Sequence, residues 1–212
     1  NRMSIKKKYK VKSIAKHLCK EWLLYKHYAK RMPCISYAFG LFEKELVGVM
    51  TIGKPASNYL CVGVCGQENS KYVYELNRLC VNDGLEKNVL SYFVSASIKM
   101  LNNLILVSYA DTKMYHNGYI YQATNWLYTG KTKERTDRVN VDKHARHYNK
   151  KIDYSKNRKL RSSKHRYIYF VGCKSKVKNW TEKLNYKIKP YPKGKNKRYN
   201  SSYKPTIQKE LF

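Results

Sequence analysis

The sequence predicts an α+β domain built around one mixed central sheet. Three observations lead there. Hairpin, strand and helix signals alternate up to Gly130. A continuous apolar run, Leu104-Ile105-Leu106-Val107-Ser108-Tyr109-Ala110, has strand length and the character of a strand buried on both faces. The chain has 212 residues, 42% of them hydrophobic, enough for one sizeable core.

The elements follow in order. Ile14, Leu18, Trp22 and Tyr25 recur at helical spacing and predict a helix over 11–28, stopped near Pro33. Residues 35–42 and 46–52 read as a hairpin turning at Glu43-Lys44-Glu45. Gly, Pro, Ser and Asn make 53–70 a loop. Tyr72 to Val81 is a strand, broken by Asn82-Asp83-Gly84, and a helix runs from about Lys87 to Leu101. After the buried strand come a short helix, about Met114 to Thr124, and a strand from Trp126 to Gly130. Residues 131–165 are polar and basic and read as an insertion. Arg166 to Cys173 recovers a strand, closing a domain of residues 1–173. Residues 174–212 form a basic, Tyr-rich extension in which Pro190, Pro192 and Gly194 argue against regular structure.

Charge bounds the partners. There are 44 Lys+Arg against 14 Asp+Glu, a net charge of +30. A net charge of about 2–8 keeps a small domain soluble, so the excess calls for a polyanion. The 21 tyrosines offer flat faces for bases and hydroxyls for phosphates. The six cysteines have no zinc-ribbon spacing and read as reduced, mostly buried thiols. No apolar stretch reaches the ~20 residues of a membrane span, and the basic N-terminus lacks the apolar core of a signal peptide.

Three strings carry a family resemblance: Glu75-Leu76-Asn77-Arg78-Leu79, Val107-Ser108-Tyr109-Ala110-Asp111, and Gly118 to Trp126. Together they resemble the phage Mom family over about Trp22 to Arg138. The resemblance implies an acyltransferase-like fold of the GNAT type. It also implies conversion of adenine N6 in phage DNA to a carbamoylmethyl derivative, which shields the DNA from host restriction. The place of action would be the cytoplasm of an infected bacterium. The partner would be double-stranded DNA with a flipped adenine, and no membrane. The donor would be acetyl-CoA or a related acyl compound. A non-haem metal such as iron stays open, because the new bond is to a methylene and not to a carbonyl.

Such a fold binds the pyrophosphate of its donor at a strand–loop–helix junction. That position falls on Val81, Asn82, Gly84, Lys87 and Asn88, with one glycine where several are usual. Tyr121, five residues before Trp126, has the outline of a tyrosine that protonates a departing thiolate. His27 and Tyr28 end the first predicted helix, and His27 is a candidate base for the N6 proton. Lys26, Lys30 and Arg31 beside them could hold phosphates. Ser108 and Asp111 lie at the end of the buried strand, where open sheets place ligands; Asp111 could accept from the adenine amine or orient His27. Arg78, Tyr109, Tyr119, Arg135 and Arg138 complete the candidate DNA contacts. Alternation puts Glu75 and Arg78 on opposite faces of their strand unless a bulge intervenes. A structural ion pair is another reading of these two. His144 and His147 could bind a metal, but a solvated basic insertion explains them as well. Two other functions fit the same features: a non-catalytic DNA-binding protein on this scaffold, and an acetyltransferase of another substrate.

Overall fold

The structure, a computed structural model, describes residues 4–138, 158–197, 199 and 201–206. Seven strands form one sheet: β1 (Lys10–Ser13), β2 (Tyr37–Glu43), β3 (Glu45–Gly53), β4 (Val73–Val81), β5 (Leu104–Asp111), β6 (Leu127–Lys131) and, later in the chain, β9 (Lys164–Val171). Their spatial order is β1-β2-β3-β4-β5-β9-β6. All neighbours are antiparallel except β4 and β5, which run parallel. A separate two-stranded ribbon, β7 (Arg135–Arg138) with β8 (Arg158–Arg161), stands between β6 and β9 in sequence. The expected α+β class with a mixed central sheet is what the structure has.

Helices cover both faces. Leu104 and Leu106 of β5 join Phe93, Val94 and Ile98 of α3 (Val89–Lys99) and Tyr121 of α4 (Tyr119–Ala123), while Ile105 and Val107 pack on the other face. There they meet Cys61, Val64 and Cys65 of α2 (Asn58–Cys65) and Trp180 of α5 (Lys174–Glu182). Strict alternation on a strand covered on both faces explains the unbroken apolar run. A short α1 (Ile5–Lys8) precedes β1.

Three expectations are corrected. Residues 11–28 are not one helix: β1 occupies the start, Val11 pairs with Leu41, and Ala15 is extended with ψ 141°. Residues 16–26 form one short helical run, which starts as a 3-10 turn (Lys16–Cys19) and ends as a π-type turn (Trp22–Lys26). Trp22 and Leu23 bury within this shorter helical run, against Phe42, Leu46 and Cys80. Residues 53–70 are not a plain loop, because Ser57 caps α2 by accepting from the Leu60 amide and the helix buries Cys61, Val64 and Cys65. The extension after 174 begins with α5, held by fully packed Trp180, and has no further helix or strand among the described residues. All six cysteines are free thiols, four of them buried. Among the described residues no helix is long and apolar enough to cross a membrane.

Candidate active site

The parallel pair is short, and that shapes the molecule. β4 and β5 are in register only at Val73–Ile105, Tyr74–Leu106 and Glu75–Val107. Beyond Glu75 the two strands part. Ser108 staples the point of separation: its Oγ lies 2.8 Å from the Leu76 carbonyl and 2.7 Å from the Tyr121 hydroxyl. A carbonyl can only accept, so the single Ser108 proton goes to Leu76 and the Tyr121 phenol donates to Ser108. A cleft of about 1420 Å³ opens past this staple.

A bulge decides which side chains line it. Thr51 of β3 pairs with Arg78 and Ile52 with Leu76, leaving Asn77 unpaired between them. The extra residue resets the alternation, so Glu75 and Arg78 both line the cleft. Asn77 is locked in place: it accepts from the Thr51 hydroxyl at 2.7 Å and donates to the Cys34 carbonyl at 2.8 Å. Arg78 donates through Nη1 to the Asn77 carbonyl at 2.7 Å, while its Nε is buried with no acceptor. The Glu75 carboxylate has no hydrogen bond or ion pair among the described residues. Burial raises its pKa, against the pull of Arg78, Lys164 and Arg161.

His27 is buried, and its Nδ1 accepts from the Ala29 amide at 3.1 Å. A neutral imidazole that accepts at Nδ1 carries its proton on Nε2. Burial, then Arg78 and His116, push its pKa down to about 3. The ring is therefore neutral near pH 7 and offers a donor, which does not suit the role of proton acceptor expected of it. Tyr28 stacks on it at 4.4 Å between ring centres.

The other predicted residues divide. Tyr121 is buried, and burial raises its pKa, making it a weaker acid than a free phenol. Asp111 does not reach His27. It caps the turn that follows it, accepting from the Lys113 amide at 2.9 Å and the Ser162 hydroxyl at 2.6 Å, with Lys164 Nζ 3.7 Å away. Burial alone would raise the Asp111 carboxyl, but these partners outweigh it and hold it low. Tyr109 and Arg135 line the cleft. Tyr119 also lines it, and donates to the Gly194 carbonyl. Lys26 is turned inward: its Nζ meets Asp83 at 3.3 Å and the Ser201 and Tyr203 carbonyls at 3.4 and 3.2 Å. Lys30 and Arg31 are exposed. Arg138 pairs with Arg158 at the last position of the ribbon.

The β4–α3 connection is also at the cleft. Val81 and Asn88 line it, Gly84 has φ +75°, and Lys87 is exposed. The Asn82 amide is taken by the Val47 carbonyl. No group of three or more His, Cys, Asp or Glu side chains able to hold a metal occurs among the described residues. His144 and His147 lie outside those residues.

The model of the Mom protein family matches residues 8–193. The chain belongs to the Mom protein family. It is 26% identical over 206 residues to the methylcarbamoylase Mom of Escherichia phage Mu, a match covering 88% of this chain and 85% of that relative. Similar solved structures include a Bacillus subtilis acetyltransferase in complex with CoA, 13% identical at a TM-score of 0.41, covering 77% of this chain and 99% of that one. Another is an N-acetyltransferase from Staphylococcus aureus Mu50, 14% identical at a TM-score of 0.46, covering 76% and 98%.

In this Mom-family chain, Glu75 is the cleft residue that sequence reasoning underrates. A carboxylate inside the string Glu75-Leu76-Asn77-Arg78 reads as half of an ion pair until the bulge is known. The available signal was Asn77 itself, a poor strand former between apolar neighbours.

Proposed function

We propose that this chain modifies the N6 amine of adenine in phage DNA, transferring a carbamoylmethyl group and so shielding the DNA from host restriction. One observation carries the reading. An unpartnered carboxylate, Glu75, and a fixed N–H donor, His27 Nε2, belong to the same cleft, whose rim carries Lys131, Lys133, Arg135 and Arg161. Phosphates would sit on that cationic rim, and a base leaving the duplex would enter below it.

Adenine N6 is a poor nucleophile, because its lone pair is delocalised into the ring. His27 Nε2–H donates to a ring nitrogen and Tyr28 flanks the base. As N6 bonds to the methylene of an acetamide donor that carries a leaving group on that carbon, Glu75 takes the N6 proton and the leaving group departs with the electron pair of the bond it shared with the methylene. A raised pKa brings Glu75 nearer neutrality, which suits a general base. The orphan Nε of Arg78 is a donor for the carbonyl oxygen of the group being transferred. Tyr121 lies across the strand split with its proton held on Ser108, so it positions the strand ends beside the transferred group.

An acyl thioester of coenzyme A fits part of this site. Past Glu75, β4 has no strand on its β5 side, so its backbone can pair with a peptide-like arm. The amides of Leu90 and Ser91, at the start of α3, have no hydrogen-bond partner among the described residues, and both residues line the cleft. The phosphate end fits less well. Asp83 and Glu86 stand in the loop before α3, and the lysines nearest them, Lys26 and Lys8, are already bonded to them. Such a donor would supply an activated carbonyl carbon, whereas the N6–methylene bond needs its leaving group on the methylene.

Restriction protection tests the reading. Plasmid DNA from cells making the wild-type protein is expected to resist an endonuclease whose site contains adenine. DNA from cells making Glu75→Gln is expected to be cut. Full cutting of both, with soluble protein present, would overturn the proposal.

A further inference from the structure

The described parts of the C-terminal segment, residues 192–197, 199 and 201–206, form a strap fastened on both sides of the cleft. On one side Gln122 donates to the Pro192 carbonyl at 3.4 Å, Asn117 donates through its side chain to the Lys195 carbonyl at 3.1 Å, and the Lys197 amide donates to Tyr115 at 3.1 Å. On the other side Lys26 holds the Ser201 and Tyr203 carbonyls, and Glu21 accepts from the Tyr203 hydroxyl and from the Thr206 amide at 2.9 Å. Between the two fastenings sits Tyr199, half-buried and lining the cleft.

Tyr199 faces a specific neighbour. Its ring lies 5.9 Å from that of Tyr28 at 63°, and His116 lies 6.0 Å from Tyr28 at 75°. Rings at such angles form walls around Tyr28 and not a closed stack. The hydroxyls of Tyr28 and Tyr199 have no hydrogen-bond partner among the described residues, although both rings belong to the cleft. Flat apolar walls with unused polar tips suit a heteroaromatic base, which offers two faces for stacking and an edge for hydrogen bonds.

We propose that Tyr199 completes an aromatic cage with Tyr28 and His116 that receives a purine base turned out of the duplex, which makes the C-terminal strap part of the substrate site. The proposal rests on the reading of adenine as the substrate. It gives the strap a role beyond charge, since the stacking surface is separate from the lysines around it.

The test compares binding of two probes, a short oligodeoxyadenylate and an abasic strand of equal length, to full-length wild type, Tyr199→Phe and Tyr199→Leu. Stacking is worth roughly 1–3 kcal/mol per base, so wild type should prefer the base-bearing strand by about 5- to 150-fold. Tyr199→Phe should keep that preference and Tyr199→Leu should lose most of it, with the same salt dependence in all three. Equal preference in wild type and Tyr199→Leu would overturn the proposal, as would its loss in Tyr199→Phe. Nucleoside analysis of DNA modified by the same wild-type protein separates the two readings: no altered adenine sinks the substrate assignment, whatever the binding preference.

Discussion

Glu75 and Arg78, three residues apart on β4, line the same cleft because Asn77 between them is bulged out of register with β3. A regular strand would send them to opposite faces. The placing of the Glu75 carboxylate and of the orphan Arg78 Nε thus depends on the bulge that the Asn77 side chain locks.

Asn77→Ala tests that dependence. It leaves the fully buried Thr51 hydroxyl without its acceptor and the Cys34 carbonyl without its donor. A loss of about 1–3 kcal/mol in urea unfolding is expected. Activity should fall further than stability explains, since Glu75 and Arg78 would shift together. Unchanged unfolding would contradict the role given to Asn77.

Glu75→Gln separates function from folding. Loss of a general base costs roughly 10²–10⁴-fold in rate. Stability should change in the opposite sense. The folded pKa of Glu75 is raised above its ordinary value, so its protonated form is favoured by folding. That contribution is present at pH below the ordinary carboxyl range and is lost as pH rises through the raised value. The glutamine variant should therefore be the more stable of the two at neutral pH, by thermal unfolding. Wild-type activity should rise with pH through the same raised value. A variant both active and less stable would contradict the assignment.

His27 works in the other direction. Its pKa is pushed down to about 3, well below the ordinary 6.5. A depressed pKa contributes stability above about pH 6.5 that is lost progressively as pH falls toward 3. Between pH 6.5 and 5 the loss should be about 2 kcal/mol. His27→Asn can still accept from the Ala29 amide but cannot titrate, so most of this slope should vanish in urea melts at the two pH values.

The cationic rim predicts a salt response. Lys133→Ala and Arg135→Ala should each weaken DNA binding across sequences and lower the slope of log K against log salt by about 1. Both residues are exposed at the cleft mouth. Binding with an unchanged slope would remove them from phosphate contact.

Much of this fold was legible in the residues. The hairpin at Glu43-Lys44-Glu45, the strand ending at Val81 and the buried strand at Leu104 each carry a local signal that tertiary packing reinforces. The helix expected over 11–28 fails because Val11 and its neighbours complete the sheet edge, a long-range pairing that 3.6-residue spacing cannot register. The helix Asn58–Cys65 hides behind Gly63 and turn-forming neighbours, although its cap at Ser57 is a readable sign. Of the residues singled out in the sequence, His27, Tyr28, Arg78 and Tyr121 line one cleft. Two parts of the site were not legible. Whether Nδ1 or Nε2 of His27 faces outward depends on the Ala29 amide, and Asp111 is diverted by Ser162, 51 residues away.

The central claim is chemical: adenine N6 in DNA is the atom that changes. Mass spectrometry of nucleosides from DNA exposed to the wild-type protein in cells tests it most directly. A modified deoxyadenosine bearing the carbamoylmethyl group is expected, abolished by Glu75→Gln with soluble protein at equal abundance. A wholly unaltered deoxyadenosine peak from the wild type would contradict it.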